Sequence, residues 1–184
     1  MSNMKHELHH LPALEEANAR AVGRVGIVGA SSTGIAIVTQ LLDAGVPVTL
    51  YEPDIAVLRA ALSQIRSPWS GGQDRRLALL AGTVNFHHLK DADLLIDATQ
   101  GPGGEQLFGR LDQTAKRGAI LATVAGVARV DALAGCTRRP GEVLGLRVPA
   151  QAGQAGQAWE PVPGRETSGA TLATVIALAR RLRR

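Results

Sequence analysis

The chain has 184 residues, of which 45% are hydrophobic and 20% charged, and its formal net charge is +4. This is the composition of an ordinary globular protein, and the length predicts one domain with a sizeable buried core. The single cysteine excludes an internal disulfide and favours a cytoplasmic location, and no segment reaches the ~18 apolar residues that a membrane span needs.

The excess of positive charge lies at the C-terminal end, where Arg180, Arg181, Arg183 and Arg184 follow one another closely. Cations in the last turn of a helix complement the helix dipole, and no aromatic stacking surface accompanies them. We therefore expect neither a nucleic-acid partner nor a membrane partner.

Residues 1–22 are polar and are predicted to form an N-terminal arm, and residues 23–184 to form the domain. In the first half of the domain, apolar runs and helical periodicity alternate. The predicted elements are a strand at Val25–Val28, a helix at Thr33–Ala44, a strand at Val46–Tyr51, a helix from an N-cap at Asp54 to Arg66, a loop at Ser67–Gln73, a helical patch at Arg75–Leu80 and a strand at Thr83–His87.

The second half continues the alternation. Its predicted elements are a strand at Leu94–Ala98, a helix at Gly103–Lys116, a strand at Ala119–Val124, a helix at Val130–Cys136, a strand at Val143–Val148 and a final helix that begins near Thr167 or Ser168. Continuous apolar strands between helices are typical of a buried parallel sheet. The fold class is therefore α/β, a single domain with a doubly wound, mostly parallel Rossmann-type sheet.

The turn after the first strand carries a glycine pattern that is typical of dinucleotide-binding folds. Gly29 and Gly34 occupy the first and last positions of G-x-G-x-x-G, but Ser31 stands at the middle position. A side chain there lengthens the approach of a pyrophosphate to the backbone, although the Ser31 hydroxyl could donate to a phosphate oxygen. The residues predicted to hold the pyrophosphate are Gly29, Ala30, Ser31, Ser32, Thr33 and Gly34.

Glu52 directly follows the second predicted strand, 23 residues after Gly29, close to the expected spacing of about 20 residues for the acid that binds the adenosine ribose. A carboxylate repels a 2′-phosphate, and the residues that follow Glu52 supply no arginine or lysine to receive one. The pattern therefore predicts NAD, rather than NADP, as the cofactor. Ala98 and Thr99 are predicted to line the nicotinamide side.

Several further segments resemble the NAD-binding domain of the L-3-hydroxyacyl-CoA dehydrogenase family. The resemblance covers residues 24–184 and rests on the segments Val25–Gly29, Leu50–Glu52, Asp91–Ala98, Gly118–Thr123, Arg138–Gly145 and Pro163–Ser168. It implies an NAD-dependent oxidoreductase with a Rossmann fold.

The resemblance fails at the family's catalytic positions. The serine that positions the substrate hydroxyl falls on Gly126, and the general-base histidine falls on Arg147. The glutamate that orients that histidine falls on Glu160. Arginine stays protonated in proteins and cannot accept the proton, so oxidation of the family's substrate is expected to be altered or lost.

The five histidines do not replace that base. His6, His9 and His10 lie in the predicted arm, and His87 and His88 lie at the end of a predicted strand. No metal site is predicted from them. The resemblance implies a following helical domain that forms the substrate cleft, and a homodimer or a partner chain could supply such a wall.

The residues described above are compatible with three functions. The first is an NAD-dependent oxidoreductase with altered chemistry, in which Arg147 either holds an anionic substrate group or pairs with Glu160. The second is a non-catalytic NAD sensor, regulatory subunit or scaffold. The third is a reductase of a small acid related to the 6-phosphogluconate dehydrogenase-like group.

Overall fold

The computed structural model of the protein describes residues 19–69, 74–124, 127–149 and 159–183. Strands and helices alternate through these ranges. The strands are β1 (Val25–Val28), β2 (Val48–Tyr51), β3 (Leu80–Thr83), β4 (Leu94–Asp97), β5 (Ile120–Thr123), β6 (Val143–Arg147) and β7 (Glu160–Pro163). The α-helices are α1 (Ser32–Asp43), α2 (Ile55–Arg66), α3 (Gly104–Thr114), α4 (Val130–Gly135) and α5 (Gly169–Arg181).

The strands form one sheet in the order β3-β2-β1-β4-β5-β6-β7. The pairs from β3 to β6 are parallel, and β7 runs antiparallel to β6 at the edge. The chain order of the strands reverses between β1 and β4, which opens a crevice at their carboxyl ends. The predicted doubly wound, mostly parallel fold is confirmed.

Helices cover both faces of the sheet, and each face has its own hydrophobic core. On one face α1 and α5 pack through residues such as Ile37, Leu41 and Val175. On the other face α3 and α4 pack through Phe108 and Leu133. Because both faces are covered, every central strand is buried, and the crevice edge is where ligands can reach the backbone.

The prediction of the third strand was wrong. The strand is Leu80–Thr83, not Thr83–His87, and Phe86–Leu89 forms a 3₁₀ helix. The Asn85 side chain accepts a hydrogen bond from the His87 N–H at 3.0 Å and so begins this turn. A local side-chain bond of this kind competes with strand pairing and ends β3 early.

Two other segments are short 3₁₀ helices. Arg75–Leu79 confirms the predicted helical patch. The loop predicted over Ser67–Gln73 was wrong at its start, since Ser67–Trp69 is a 3₁₀ helix, and its remainder, 70–73, lies outside the described residues. The edge strand β7 contains Pro161 and Pro163, which an edge position tolerates because one side of the strand needs no ladder bonds. Among the described residues, no helix is long and apolar enough to cross a membrane.

A buried carboxylate joins α3 to the turn that leads into β6. Asp112 is 4% exposed and accepts hydrogen bonds from Arg138 Nε at 2.8 Å and from Arg139 Nε at 2.7 Å. Arg139 also donates to the carbonyls of Lys116 and Ala115, so it caps the C-terminal end of α3. This cluster fixes the start of β6 and therefore the position of Arg147 at its end.

Burial raises the pKa of the Asp112 carboxyl, but the hydrogen bonds from Arg138 and Arg139 outweigh it and hold the pKa below its usual range. A carboxyl with a lowered pKa in the folded state stabilises the fold at pH values above its unfolded pKa. That contribution is lost as the pH falls through the lower pKa of the folded state.

We expect Asp112→Asn to lower the free energy of unfolding by roughly 2–3 kcal/mol at pH 7, because the largely buried Arg139 loses its countercharge. Urea unfolding across pH 3–7 measures the effect. The difference in free energy of unfolding between the variant and the wild type should be largest above about pH 5. It should shrink at lower pH, since an unfolded aspartate titrates near 4.

The matched control is Glu105→Gln, which breaks the exposed ion pair between Glu105 and Arg129. An exposed pair contributes about 0–1 kcal/mol, so the control should leave the unfolding curve nearly unchanged. Equal losses in both variants, or a loss in Asp112→Asn that does not depend on pH, would contradict the role given to Asp112.

Candidate cofactor site

The crevice at the carboxyl ends of β1 and β4 begins with Gly29. Its φ of +99° lies in the left-handed region, and its N–H donates to the Tyr51 carbonyl at 2.9 Å. A Cβ at this position would lie 3.1 Å from the Thr99 backbone nitrogen. Both the backbone angle and the close approach of the β4 loop therefore require glycine here.

Gly34 allows helix α1 to begin directly against this turn. A Cβ on Gly34 would lie 2.2 Å from the Gly29 carbonyl oxygen, which is far inside van der Waals contact. The first and third glycines of the motif thus face each other across the strand-to-helix turn. The arrangement brings the first turn of α1 over the crevice.

The Ser31 hydroxyl is directed into the protein. It donates to the Ala98 carbonyl at 2.8 Å and accepts from the Gly34 N–H at 3.1 Å, so it is the N-cap of α1 and a link to the β4 loop. Because the hydroxyl proton is already used by Ala98, we expect backbone N–H groups, rather than this hydroxyl, to bind a phosphate.

The N–H groups of Ser32 and Thr33 are available for that purpose. They lie in the first turn of α1, where helical geometry provides no acceptor, and they have no bonded acceptor among the described residues. Ser32 is exposed and Thr33 half-buried at the crevice. Two free donors at the positive end of a helix dipole suit an anionic ligand such as a pyrophosphate.

Glu52 lies beside this turn at the end of β2. One carboxylate oxygen accepts from the Ala30 N–H at 3.1 Å and the other from the Asp54 N–H at 3.3 Å. These two bonds orient the side chain, and each oxygen keeps a lone pair for a further hydroxyl donor. A vicinal diol such as that of a ribose would fit this carboxylate, and a phosphate would be repelled by it.

The other wall of the crevice is formed by the loop after β4. The Ala98 N–H donates to the Val28 carbonyl at 2.9 Å, which holds the loop against β1. Thr99 donates to Asp97 through its hydroxyl at 2.6 Å and through its N–H at 2.9 Å. The Asp97 carboxylate also accepts from the Thr123 hydroxyl of β5 at 3.3 Å.

The sequence reasoning placed Ala98 and Thr99 at this wall but missed Asp97. The available signal was a charged residue at the end of the apolar run Leu94–Ile96, where burial is costly unless the charge meets donors. Asp97 is 3% exposed.

At the end of β6, Arg147 is the register partner of Glu160 on β7. Arg147 Nη1 lies 3.3 Å from Glu160 Oε1, and both side chains are more than half exposed. Of the two alternatives for Arg147, the ion pair is the one that the structure contains. Gly126 lies outside the described residues, as do His6, His9 and His10.

His87 and His88 lie beyond β3, on the far side of β2 from β4. The Nδ1 atom of His88 lies 2.8 Å from the Thr83 hydroxyl, and both histidines are exposed. Neither is brought to the crevice between β1 and β4. An arginine, Arg147, therefore lies at the carboxyl end of β6, and His87 and His88 lie in the 3₁₀ helix after β3.

Comparison with known proteins agrees with this geometry. The sequence model of the family described as "3-hydroxyacyl-CoA dehydrogenase, NAD binding domain" matches residues 24–184. The alignment with the human peroxisomal bifunctional enzyme extends over 184 residues at 29% identity. It covers 91% of this chain and 24% of that protein. The 3-hydroxybutyryl-CoA dehydrogenase of Mycobacterium tuberculosis is 32% identical over 139 residues, which cover 68% of this chain and 49% of that protein.

Among solved structures, the (S)-3-hydroxybutyryl-CoA dehydrogenase of Ralstonia eutropha superposes with a TM-score of 0.79 at 22% identity. The match covers 88% of this chain and 61% of that chain, and at this identity it supports the fold alone. The chain spans about a quarter of the length of the first of these relatives and about half of the second.

We expect Gly34→Ala to lower the free energy of unfolding by about 2–3 kcal/mol, because the new methyl group must displace the Gly29 carbonyl. The same shift misplaces the first turn of α1, so the affinity for NADH should fall about tenfold or more. Thermal unfolding and calorimetric titration with NADH measure the two effects.

Gly135→Ala serves as the control, because a Cβ at Gly135 meets no atom within 4 Å. This variant should bind NADH like the wild type and be as stable or slightly more stable, since alanine is the better helix former. Wild-type NADH affinity in Gly34→Ala would overturn the assignment of the turn as the pyrophosphate site.

Proposed function

Because this chain belongs to the 3-hydroxyacyl-CoA dehydrogenase family through its NAD-binding domain, we propose that it is an NAD-specific binding module in which the family's oxidation of 3-hydroxyacyl-CoA is lost. The cofactor of the family is NAD, which accepts a hydride at its nicotinamide ring. The loss of the reaction does not follow from membership of the family. It must be inferred from the residues of this chain.

The described residues fit the cofactor. The free N–H groups of Ser32 and Thr33 suit the pyrophosphate, and the contact between Gly29 and Gly34 keeps side chains out of the turn. The oriented carboxylate of Glu52 suits the two ribose hydroxyls. Ser31 does not obstruct this arrangement, since its hydroxyl is bonded to Ala98 and Gly34.

The observation that carries the proposal is the identity of the side chain at the end of β6. The resemblance places the general base there, but this position is occupied by Arg147, which is paired with Glu160. A guanidinium remains protonated at neutral pH and cannot remove the proton of a substrate hydroxyl as a hydride leaves. On this basis the module binds NAD and does not complete the reaction of its relatives.

A second candidate is the reduction of a small carboxylic acid, with Arg147 as the group that holds the carboxylate. It is favoured by the exposure of Arg147, whose side chain is 61% accessible. An ion pair this exposed is weak, so an anionic ligand that offers bidentate geometry could replace Glu160. A homodimer or a partner chain would then supply the wall that encloses the substrate.

We expect the protein to bind NADH at least about tenfold more tightly than NADPH, because Glu52 accepts from the ribose hydroxyls and repels a 2′-phosphate. Glu52→Gln should reduce this preference by weakening NADH and strengthening NADPH. Calorimetric titration with both cofactors measures the ratio of affinities.

Glu142→Gln is the charge-matched control, since Glu142 precedes β6 at the amino end of the sheet, opposite the crevice. It should leave the ratio unchanged. Equal binding of NADH and NADPH by the wild type would contradict the role of Glu52, and binding of neither cofactor would overturn the proposed function.

We expect no formation of NADH from 3-hydroxybutyryl-CoA and NAD above the rate without protein, because Arg147, and not a histidine, stands at the end of β6. Absorbance at the NADH band measures this. Steady turnover would overturn the proposal of lost activity. Oxidation of NADH with a short keto acid, abolished by Arg147→Ala, would instead support the second candidate.

A further inference from the structure

We propose that the buried carboxylate of Asp97 selects the redox state of the bound cofactor, favouring NAD⁺, whose nicotinamide ring is cationic, over NADH, whose ring is neutral. This inference rests on NAD binding in the crevice, as described in the proposed function. It concerns a side chain that neither the glycine motif nor Arg147 explains.

The position of Asp97 in the fold is central to the crevice. It is the last residue of β4, and its register partners are Val28 at the end of β1 and Thr123 at the end of β5. The adenosine half of the cofactor is assigned to β2 through Glu52. The nicotinamide half must therefore extend the other way from the glycine turn, over the carboxyl ends of β4 and β5.

In the described part of the chain, the Asp97 carboxylate is held by hydrogen-bond donors rather than by a cation. Three hydrogen bonds reach the carboxylate, two from Thr99 and one from Thr123. The ion pairs found at this edge of the sheet join Arg129 to Glu105 and Arg147 to Glu160, and none in the described ranges includes Asp97. Among the described residues, this buried carboxylate has hydrogen-bond donors but no ion-pair partner.

A buried charge acts over a longer distance than an exposed one, because little water lies between it and its surroundings. A cationic ring placed over the ends of β4 and β5 would be attracted by Asp97, and a neutral ring would not. The carboxylate therefore changes the relative affinity for the two forms of the cofactor, which is equivalent to lowering the reduction potential of the bound couple.

The same contacts also suggest a purely structural role, in which Asp97 holds the Thr99 loop against β5. The two roles predict different results. A structural clamp supports every ligand of the crevice equally, whereas a charge effect acts on the cationic ring alone. The ratio of affinities for NAD⁺ and NADH separates them.

The experiment titrates NAD⁺, NADH and ADP-ribose into the wild type and into Asp97→Asn, which keeps the shape of the side chain and removes its charge. We expect NAD⁺ to weaken about tenfold relative to NADH, while ADP-ribose, which lacks the ring, binds as before. A tenfold change in this ratio corresponds to about 30 mV in the potential of the bound two-electron couple.

Asp91→Asn is the matched control, because it removes an exposed carboxylate three residues before β4, at the amino end of that strand and opposite the crevice, so the ratio should stay at the wild-type value. Asp97→Ser repeats the test if Asp97→Asn does not fold. An unchanged ratio, or equal losses for all three ligands, would overturn the charge effect. Failure of the wild type to bind any of the three would instead overturn the proposed function.

Discussion

The close approach of helix α1 to the turn after β1 is the constraint on which the rest of the site depends. The space between the Gly34 Cα and the Gly29 carbonyl is too small for any Cβ. This contact brings the free N–H groups of Ser32 and Thr33 to the crevice and places the turn next to Glu52 and Ala98. Because backbone atoms form the contact, it cannot relax as a side-chain contact would.

Ser31 shows how a departure from the glycine motif is accommodated. In place of a glycine that leaves space, the chain has a hydroxyl that caps α1 and bonds to the β4 loop. The serine therefore joins the two walls of the crevice and keeps its side chain away from the first-turn N–H groups of Ser32 and Thr33. The motif has been changed without closing the anion site that the helix provides.

Much of the fold followed from local patterns in the sequence. The apolar runs and the glycine turn predicted β1, α1, β2 and β4, because burial on both faces of a parallel sheet leaves a continuous apolar segment. The third strand was misplaced, since Asn85 begins a 3₁₀ turn whose hydrogen bond has no apolar signature. Asp97 was missed because its donor Thr123 becomes its neighbour only through the pairing of β4 with β5.

The sequence by itself determined the fold class, the glycine turn and the carboxylate of Glu52, because these depend on periodicity, steric limits and spacing along one βαβ unit. It also determined that Arg147 stands where the resemblance places a base. Only the tertiary structure decided that Arg147 pairs with Glu160, that the Ser31 hydroxyl is directed at Ala98, and that the buried Asp97 carboxylate has no ion-pair partner among the described residues. Each of these depends on contacts between segments distant in the chain, which local sequence patterns do not encode.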